Sequence, residues 1–327
     1  MNYRRLGSAG IQVSEISLGT WILCDALEQK EAAFAVIDKA HDLGINFFDT
    51  ANAYSEGRAE QILGEALRKY RRSSYVLATK VYWPKGRWPN EWGLSRKHIF
   101  DQVHASLERL GTSYIDLYYC HWFDRDTRLE ETLRAMDDLV RQGKVLYIGV
   151  SNWSAVQISE ALRVADQYLL DRIVANQPSY NMFDRYIEEE SIALCEANGI
   201  GQVVYSPLAQ GVLTGKYKPG AKPPESSRAN KKGIGAVVTV RDYLKEEFLE
   251  KAEQLQPIAR DIGLELPQLA LAWVLRLPNV ASALIGASRA DQVEANAKAS
   301  GVRLSEEVQQ AVGKVLDSIK SSVRSKA

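Results

Sequence analysis

Short apolar segments alternate with longer amphipathic segments along the whole chain, and this alternation limits the fold more than any other feature. The apolar segments recur about every 30 residues and are rich in β-branched and aromatic residues, as strands buried on both faces are. The segments between them carry apolar residues at helical spacing, as in Val36, Ile37 and Ala40. We therefore predict eight strands, at Ile16–Leu18, Asn46–Asp49, Tyr75–Thr79, Ile115–His121, Leu146–Val150, Val174–Asn176, Gln202–Tyr205 and Ala283–Ile285.

Glycine ends several of the helical segments just before the next strand, where it adopts a left-handed cap without a Cβ penalty. Eight strand–helix units predict a closed (β/α)8 barrel, the TIM barrel. The alternative, an open doubly wound sheet, needs a glycine-rich phosphate loop after its first strand. Here the first strand leads into Gly19-Thr20-Trp21 and no such loop follows, so we predict the barrel. The capping glycines are Gly44, Gly111, Gly143 and Gly199.

The spacing of the strands indicates one α/β domain over residues 1–327, with an N-terminal β-hairpin ahead of the barrel. Two segments interrupt the regular spacing, Trp83–Gly93 after the third strand and Gln210–Tyr243 after the seventh. We expect them to form long loops over the C-terminal face of the barrel. Residues 321–327 are polar, and we expect this tail to fray.

The charge balance and the cysteine pattern exclude several classes of function. Lys+Arg and Asp+Glu both total 41, so we expect no general attraction to nucleic acid or to an anionic membrane. No apolar run approaches the ~20 residues that span a bilayer, and the polar Met1–Leu6 is not followed by a secretory h-region. Cys24, Cys120 and Cys195 lack metal-ligand spacing and are typical of core thiols in a reducing cytosol. We therefore expect a cytoplasmic protein without a metal site.

Four titratable residues fall near the ends of neighbouring strands. Asp49 ends the second strand, and Tyr54 follows on the loop into the next helix. Lys80 comes after the third strand and His121 ends the fourth. Because the C-terminal ends of barrel strands share one mouth, we expect these side chains to meet there. A lysine ammonium lowers the pKa of a nearby phenol, which makes the phenol a better acid near neutral pH. The sequence thus predicts a proton-transfer site.

Within that site, Asp49 would hold Lys80 charged and His121 would orient a substrate oxygen. Each residue taken alone also has an ordinary structural interpretation: a helix cap for Asp49, a rim aromatic for Tyr54, a solvated lysine for Lys80 and a satisfied core histidine for His121. The prediction depends on the four together. No G-x-S-x-G motif and no Cys–His pair indicates another chemistry.

The segment around Tyr54 resembles the signature of the aldo-keto reductases, D-T-A-x-x-Y-x-x-G-x-x-E-x-x-L-G. After Asp49-Thr50-Ala51, the chain carries the remaining residues at the same spacing: Tyr54, Gly57, Glu60, Leu63 and Gly64. Thr79-Lys80 and His121-Trp122 are similar to the family's lysine and histidine segments. The resemblance implies the catalytic tetrad Asp49, Tyr54, Lys80 and His121, with Tyr54 as general acid in carbonyl reduction and as base in the reverse reaction.

The resemblance extends from Tyr3 to Gln292 and implies a nicotinamide cofactor. Gly149–Asn152 and Asn176-Gln177 resemble the segments that hydrogen-bond the nicotinamide carboxamide, and Tyr205 resembles the aromatic residue that stacks on the ring. A tyrosine at a strand end offers a flat amphipathic face, although it could also be a rim residue of the core. The implied cofactor contacts in these segments are Gly19, Thr20, Trp21, Asp49, Ser151, Asn152, Gln177, Tyr205, Ser206, Pro207, Leu208, Gln210 and Gly211.

The segments Leu213–Tyr217 and Ser227-Arg228 resemble those of the family branch that includes the potassium channel beta subunits and bacterial relatives. There the residues equivalent to Lys216 and Arg228 lie along the cofactor phosphates. Two cations beside a dianionic 2′-phosphate favour NADP(H) over NAD(H). Without the resemblance, Lys216 and Arg228 would both be interpreted as solvated loop charges. The resemblance also places Gly286, Ser288, Gln292 and Asn296 at the adenosine end, beside a helix N-terminus suited to phosphate.

Two positions of this adenosine segment depart from the family pattern. Ala295 stands where the family often has Glu, and Gly286 stands where it often has a basic residue. The expected NADPH preference therefore depends on Ser288, Lys216 and Arg228, with Arg289 as a further candidate.

Tryptophans in loops at the catalytic mouth predict an apolar substrate pocket. We expect aldehydes or ketones with aromatic or aliphatic bulk as substrates, with small polar aldehydes and sugars left open. The sequence does not predict the oligomeric state. The predicted pocket residues are Trp21, Tyr54, Trp83, Trp88, His121 and Trp122, extended by Tyr82, Trp92 and Phe123.

Two other functions compete with an NADPH-dependent carbonyl reductase of the alcohol dehydrogenase type. One is a regulatory subunit that binds NADP(H) and senses redox state with little turnover, as the resemblance to channel beta subunits allows. His121 favours catalysis, because those subunits carry Asn there. The other is a barrel hydrolase or lyase that uses Asp49 and His121, which would leave Tyr54 and Lys80 unexplained.

Overall fold

Eight parallel strands close into a barrel in the computed structural model, which describes residues 1–21, 23, 30–225, 227–230, 240–319 and 323. This confirms the predicted TIM barrel. Neighbours pair in chain order, and the last strand pairs with the first, as in Leu284 opposite Ser17. Ahead of the barrel, β1 (Tyr3–Arg5) pairs antiparallel with β2 (Gln12–Ser14). The barrel strands are β3 (Ile16–Gly19), β4 (Phe47–Asp49), β5 (Val76–Val81), β6 (Ile115–Cys120), β7 (Val145–Ser151), β8 (Ala175–Gln177), β9 (Gly201–Tyr205) and β10 (Val280–Ile285).

Helices connect the strands and bury one apolar stripe each, as Val36, Ile37 and Ala40 do in the first of them. The predicted capping glycines all have positive φ, between 62° and 83°. The described helices are α1 (Lys30–Asp42), α2 (Arg58–Leu67), α3 (Arg96–Leu110), α4 (Leu129–Arg141), α5 (Ala155–Tyr168), α6 (Ser191–Ala197), α7 (Val240–Tyr243), α8 (Glu246–Asp261), α9 (Leu266–Val274), α10 (Ala290–Ala297) and α11 (Glu306–Leu316).

The N-terminal hairpin packs on the end of the barrel where the strands begin. Leu6 and Val13 are fully buried and belong to the same apolar cluster as Phe47 and Leu117. Arg4 donates through its guanidinium to the carbonyl oxygen of Val280 at 2.8 Å, at the start of β10. The hairpin therefore covers the end of the barrel where the strands begin and does not cover the end where they finish.

Strand β5 extends two residues further than predicted, to Val81, so Lys80 lies within the strand rather than after it. Its backbone pairs in register with Tyr119 of β6. The prediction ended the strand early because a lysine is rarely buried without a partner. Conversely, β6 ends at Cys120, and His121 is the first residue beyond it, with its N–H donated to the Val81 carbonyl at 2.9 Å.

A close contact between α2 and α3 depends on Gly64. A Cβ at this position would come within 2.3 Å of the Leu110 carbonyl oxygen, at the end of α3. Only glycine lets the two backbones approach so closely. This contact brings the inner face of α2 against the last turn of α3.

Cys120 and Cys195 are free, buried thiols, as predicted, and burial raises the pKa of Cys120 to about 12. Among the described helices, none is long and apolar enough to cross a bilayer. Several predicted features lie outside the described residues: Cys24, the tail at 321–327 except Val323, and positions 226 and 231–239 of the long segment after β9.

Candidate active site

Lys80 lies at the centre of the site. Its side chain is fully buried, and Nζ donates to Asp49 Oδ1, to the Thr50 carbonyl oxygen at 2.7 Å and to Tyr54 Oη at 3.3 Å. Asp49 ends the neighbouring strand β4, so parallel pairing of the two strands brings these charges together. The ammonium uses all three of its donors. Because Tyr54 Oη accepts from Lys80, its own O–H can donate elsewhere.

Tyr54 is carried by a turn with a rare backbone conformation. Asn52 N donates to the Lys80 carbonyl oxygen at 3.3 Å, which continues the β4–β5 pairing beyond the strand end. Ser55, Glu56 and Gly57 then have φ of 46°, 59° and 95°. This left-handed region costs a non-glycine residue about 1–2 kcal/mol, and such strain clusters at functional sites.

His121 lies against Tyr54, with ring centroids 5.7 Å apart in an edge-to-face arrangement. Its Nδ1 is buried without a hydrogen-bond partner among the described residues. Burial, together with the Lys80 ammonium, holds the pKa of His121 well below its ordinary value. The imidazole is therefore neutral at neutral pH.

The acidity of Tyr54 differs from the sequence-based expectation. Burial raises the pKa of the phenol above its ordinary value, and the Lys80 ammonium only partly opposes this effect. The expected net lowering was therefore wrong for this arrangement, because the desolvation cost of a phenolate exceeds its attraction to Lys80. Burial also disfavours the charge on Lys80, but Asp49 and Tyr54 outweigh it and raise the pKa of the ammonium. Tyr54 is held as a neutral phenol beside a cation.

Gln177 connects this proton-transfer set to the predicted nicotinamide contacts. Its side-chain Nε2 donates to Asp49 Oδ2 at 2.9 Å, and its backbone carbonyl oxygen accepts from Ser151 Oγ at 2.8 Å. Asn152 Nδ2 donates to Ser151 Oγ at 3.0 Å, and Tyr205 Oη donates to Asn152 Oδ1 at 2.7 Å. The structure thus brings four predicted cofactor residues into one hydrogen-bonded chain that ends on Asp49.

The segment after Tyr205 also has a strained backbone. Ser206, Ala209 and Gln210 have φ of 55°, 47° and 55°, and Gly211 has φ of 97°. The amide of Gln210 donates to Ser206 Oγ at 2.7 Å and fixes the loop that contains Pro207 and Leu208. On the other side of the mouth, Thr20 N donates to the Asp49 carbonyl oxygen at 3.0 Å, directly after Gly19. The hydroxyl of Thr20 is buried without a partner among the described residues, as a ligand-facing group would be.

Lys216 and Arg228 come close enough to repel each other. Burial and the Arg228 guanidinium both lower the pKa of Lys216 below its ordinary value. The Lys216 side chain lies on the Gly211 backbone, where a Cβ would come within 2.9 Å of Nζ. Arg228 lies over the Trp21 ring, with its guanidinium carbon 5.2 Å from the ring centroid. Two cations carried by the same segment would attract a phosphate group.

At the predicted adenosine end, Ser288 and Gln292 lie together. The N–H of Ser288 donates to Gln292 Oε1 at 2.9 Å, and the side chain of Asn296 is buried one turn further along α10. Gly286 is exposed. Arg289 pairs with Asp291 at 2.9 Å on the surface, which makes it a weaker phosphate candidate than Lys216 or Arg228.

The predicted substrate pocket is only partly assembled. Trp83 packs with His121 at 6.2 Å and with Trp122 at 6.0 Å between ring centroids. Tyr82 contacts Trp83 and Trp92, whereas Phe123 packs on the buried Trp153. Trp88 is 75% exposed and makes none of these ring contacts, so the structure does not bring it to the site.

The sequence did not predict two supporting side chains, those of Glu60 and Arg109. Glu60 accepts from Thr79 Oγ1 and from Arg109 Nε, both at 2.6 Å. Glu60 belongs to the signature around Tyr54, but its partner Arg109 lies on α3 and carries no motif. The described residues contain no cluster of three or more His, Cys, Asp or Glu that could hold a metal ion.

Comparison with known proteins gives a consistent answer over nearly the whole chain. A sequence model of the Aldo/keto reductase family matches residues 15–317. A probable voltage-gated potassium channel subunit beta from Arabidopsis thaliana is 44% identical over 308 residues, which cover 92% of each chain. A protein from Oryza sativa subsp. japonica with the same description is 42% identical over 332 aligned residues, covering 100% of this chain and 98% of the relative.

Proposed function

This chain belongs to the aldo/keto reductase family, and on that basis we propose that it reduces aldehydes or ketones to alcohols with NADPH, with Tyr54 as the general acid. The hydrogen bond from Lys80 Nζ to Tyr54 Oη at 3.3 Å is the observation that carries the proposal. It leaves the phenolic hydrogen available at the barrel mouth, where a carbonyl oxygen can accept it.

The residues of the tetrad have distinct roles in this scheme. When bound, NADPH supplies the hydride that reaches the carbonyl carbon. Tyr54 donates its proton to the carbonyl oxygen, and the Lys80 ammonium stabilises the phenolate that remains. Asp49 keeps Lys80 charged, and neutral His121 contacts the substrate oxygen. The aromatic surface of Trp83 and Trp122 suits substrates with apolar bulk.

The choice of NADPH is supported by the paired cations. Lys216 and Arg228 both belong to the segment that follows β9, and the Arg228 charge adds to the effect of burial in lowering the pKa of Lys216. A 2′-phosphate carries two negative charges that a ribose hydroxyl lacks, so the pair would select NADP(H) over NAD(H). The buried, reduced thiols of Cys120 and Cys195 support a cytoplasmic location for the protein.

A panel of carbonyl compounds tests this function. The purified protein should oxidise NADPH in the presence of aldehydes with aromatic or aliphatic bulk, and more slowly with small polar aldehydes and sugars. The readout is the loss of NADPH absorbance together with chromatographic identification of the alcohol. Tight NADPH binding without consumption by any compound in the panel would contradict the proposal.

A second candidate function is a regulatory subunit that binds NADP(H) and turns over slowly. The observation in its favour is that both relatives described above are named as probable potassium channel beta subunits. The two functions differ in their turnover with a good substrate: the reductase should complete many cycles, and the regulatory subunit should consume about one equivalent of cofactor before slow release limits it.

A further inference from the structure

The carboxylate of Glu60 is buried between β5, the strand that carries Lys80, and the end of α3. Oε1 accepts from Thr79 Oγ1 at 2.6 Å, and Thr79 directly precedes Lys80 on β5. Oε2 accepts from Arg109 Nε at 2.6 Å. The Glu60 side chain is fully buried and that of Arg109 is 17% exposed, so this is an ion pair inside the protein. A buried carboxylate is tolerated only when its oxygens are bonded in this way.

Arg109 in turn lies against the turn that follows Tyr54. A Cβ on Gly57 would come within 2.9 Å of both Cδ and Nε of Arg109, so the arginine side chain lies directly on the Gly57 backbone. Gly57 has φ of 95° and closes the left-handed run that begins at Ser55. A strained backbone persists only where its surroundings fix it. Arg109 is such a constraint.

The helix contact at Gly64 explains why the pair can form. The close approach of α2 to the end of α3 places Glu60, in the first turn of α2, beside Arg109, in the last turn of α3. Arg109 Nη2 also donates to Ser106 Oγ at 3.2 Å, one turn earlier on the same helix, which fixes the plane of the guanidinium.

We propose that the Glu60–Arg109 pair is a positioning device that sets the spacing of Tyr54 and Lys80. Glu60 fixes the Lys80 strand through Thr79, and Arg109 fixes the Tyr54 turn through Gly57. The assignment rests on the proposed function, since it concerns the Tyr54–Lys80 proton transfer. The two residues are positioning residues, because their own contacts are with Thr79, Ser106 and Gly57.

The charged and titratable groups around Tyr54 and around the Glu60–Arg109 pair determine how Tyr54 titrates with pH. Tyr54 faces Lys80, Asp49 and His121. Glu60 and Arg109 face Lys85 from the loop after β5, and Glu60 also faces Tyr118 of β6. Lys85 Nζ donates to the Asn52 carbonyl oxygen at 2.9 Å, on the segment that leads to Tyr54. If Tyr54 moves away from Lys80, its phenolate loses stabilisation and its titration moves to higher pH.

Two conservative substitutions and one matched control test the proposal. Glu60→Gln keeps the shape and removes the charge, and Arg109→Lys keeps the charge and loses the flat group on Gly57. The control is Arg72→Lys. Arg72 pairs with Asp116 at 2.5 Å near the other end of β5, where Asp116 also accepts from Leu77 N at 2.8 Å. It is a similar partly buried ion pair that bonds the start of the same strand through Leu77, remote from Tyr54.

The measurements are kcat and the dissociation constant for NADPH, together with a titration of Tyr54 in cofactor-free protein by NMR of 13Cζ-labelled tyrosine. The Tyr54 signal is assigned by its loss in Tyr54→Phe. We expect Glu60→Gln and Arg109→Lys to lower kcat by about 10- to 100-fold, with the NADPH dissociation constant changed by less than about 2-fold. The Tyr54 titration should move to higher pH in both variants and stay in place in Arg72→Lys.

Unchanged kcat and an unchanged Tyr54 titration in both variants would overturn the proposal, as would equal effects in the Arg72 control. If Glu60→Gln does not fold, Arg109→Lys decides by the same readouts. Absence of turnover in the unmodified protein would refute the proposed function instead. The NMR titration would still decide the positioning role, because it requires no substrate.

Discussion

Gln177 donates from Nε2 to Asp49 Oδ2 at 2.9 Å, so a residue expected to contact the nicotinamide is bonded to the aspartate that pairs with Lys80. The two residues come from strands β8 and β4, which are not neighbours in the barrel. The bond therefore spans the mouth of the barrel, and we expect it to couple the proposed cofactor contacts to the proposed proton-transfer residues.

Replacing Gln177 should affect both halves together. In Gln177→Leu, Asp49 loses one hydrogen bond and the cofactor loses an amide contact, so we expect kcat to fall and the NADPH dissociation constant to rise, each by about 5- to 10-fold. Steady-state kinetics and fluorescence titration with NADPH measure the two effects. Gln309→Leu is the control, because Gln309 donates to the Leu304 carbonyl oxygen at 3.0 Å at the start of α11, outside the site. An effect on only one of the two quantities would argue against the coupling.

The Lys216 and Arg228 cations should determine the choice of dinucleotide. Lys216→Ala combined with Arg228→Ala should weaken NADPH by about 10- to 100-fold, the loss expected for charge-assisted hydrogen bonds to phosphate, and leave NADH binding nearly unchanged. Isothermal titration with both dinucleotides checks this. Lys218→Ala serves as a control, since Lys218 pairs with Glu253 at 3.5 Å on the surface. Equal weakening of NADPH and NADH would refute the 2′-phosphate assignment.

Asp49 should be important for stability as well as for catalysis. Asp49→Asn leaves the fully buried Lys80 ammonium without its counter-charge, so we expect the free energy of unfolding to fall by about 3–5 kcal/mol. Asp101→Asn, which breaks the exposed pair with Lys97 at 2.6 Å, should cost less than about 1 kcal/mol. Urea unfolding of the two variants at neutral pH gives the comparison. Similar losses would mean that Lys80 is not held as a buried cation.

His121 should stay neutral well below the ordinary histidine range. Its folded pKa is lowered by burial and by Lys80, so the unfolded chain takes up a proton near pH ~6.5 that the folded protein does not. The free energy of unfolding should therefore decrease as the pH falls below this value, and His121→Asn should remove that part of the decrease. A histidine titration by NMR that showed His121 charged near its ordinary pKa would contradict this account.

The barrel could be predicted because the same local sequence pattern repeats along the chain. Strands that are buried on both faces appear as short, uniformly apolar segments, and glycines mark the ends of the helices. The limits of that approach appear at Lys80, where a tertiary partner, Asp49, allowed a charged residue to continue a buried strand. The net effect on the acidity of Tyr54 depended on burial, which spacing alone does not give. Trp88 was predicted to line the pocket because it is an aromatic residue in a loop at the mouth, but the path of that loop leaves its side chain exposed.

The Glu60–Arg109 pair illustrates a further limit. Glu60 was visible as part of a motif, but its partner is far away in sequence, and their contact depends on the close helix approach at Gly64. A single sequence contains no signal that joins two such positions.

The central claim is that Tyr54 provides the proton, and removing its hydroxyl tests this most directly. Tyr54→Phe and the control Tyr3→Phe, which removes a hydroxyl bonded to the Gly44 carbonyl oxygen at the opposite end of the barrel, are compared by NADPH-dependent reduction of the best carbonyl substrate. We predict that Tyr54→Phe lowers kcat by about 10²- to 10⁴-fold while the NADPH dissociation constant changes by less than about 2-fold, and that Tyr3→Phe retains activity. Turnover by Tyr54→Phe at the rate of the unmodified protein would contradict the account.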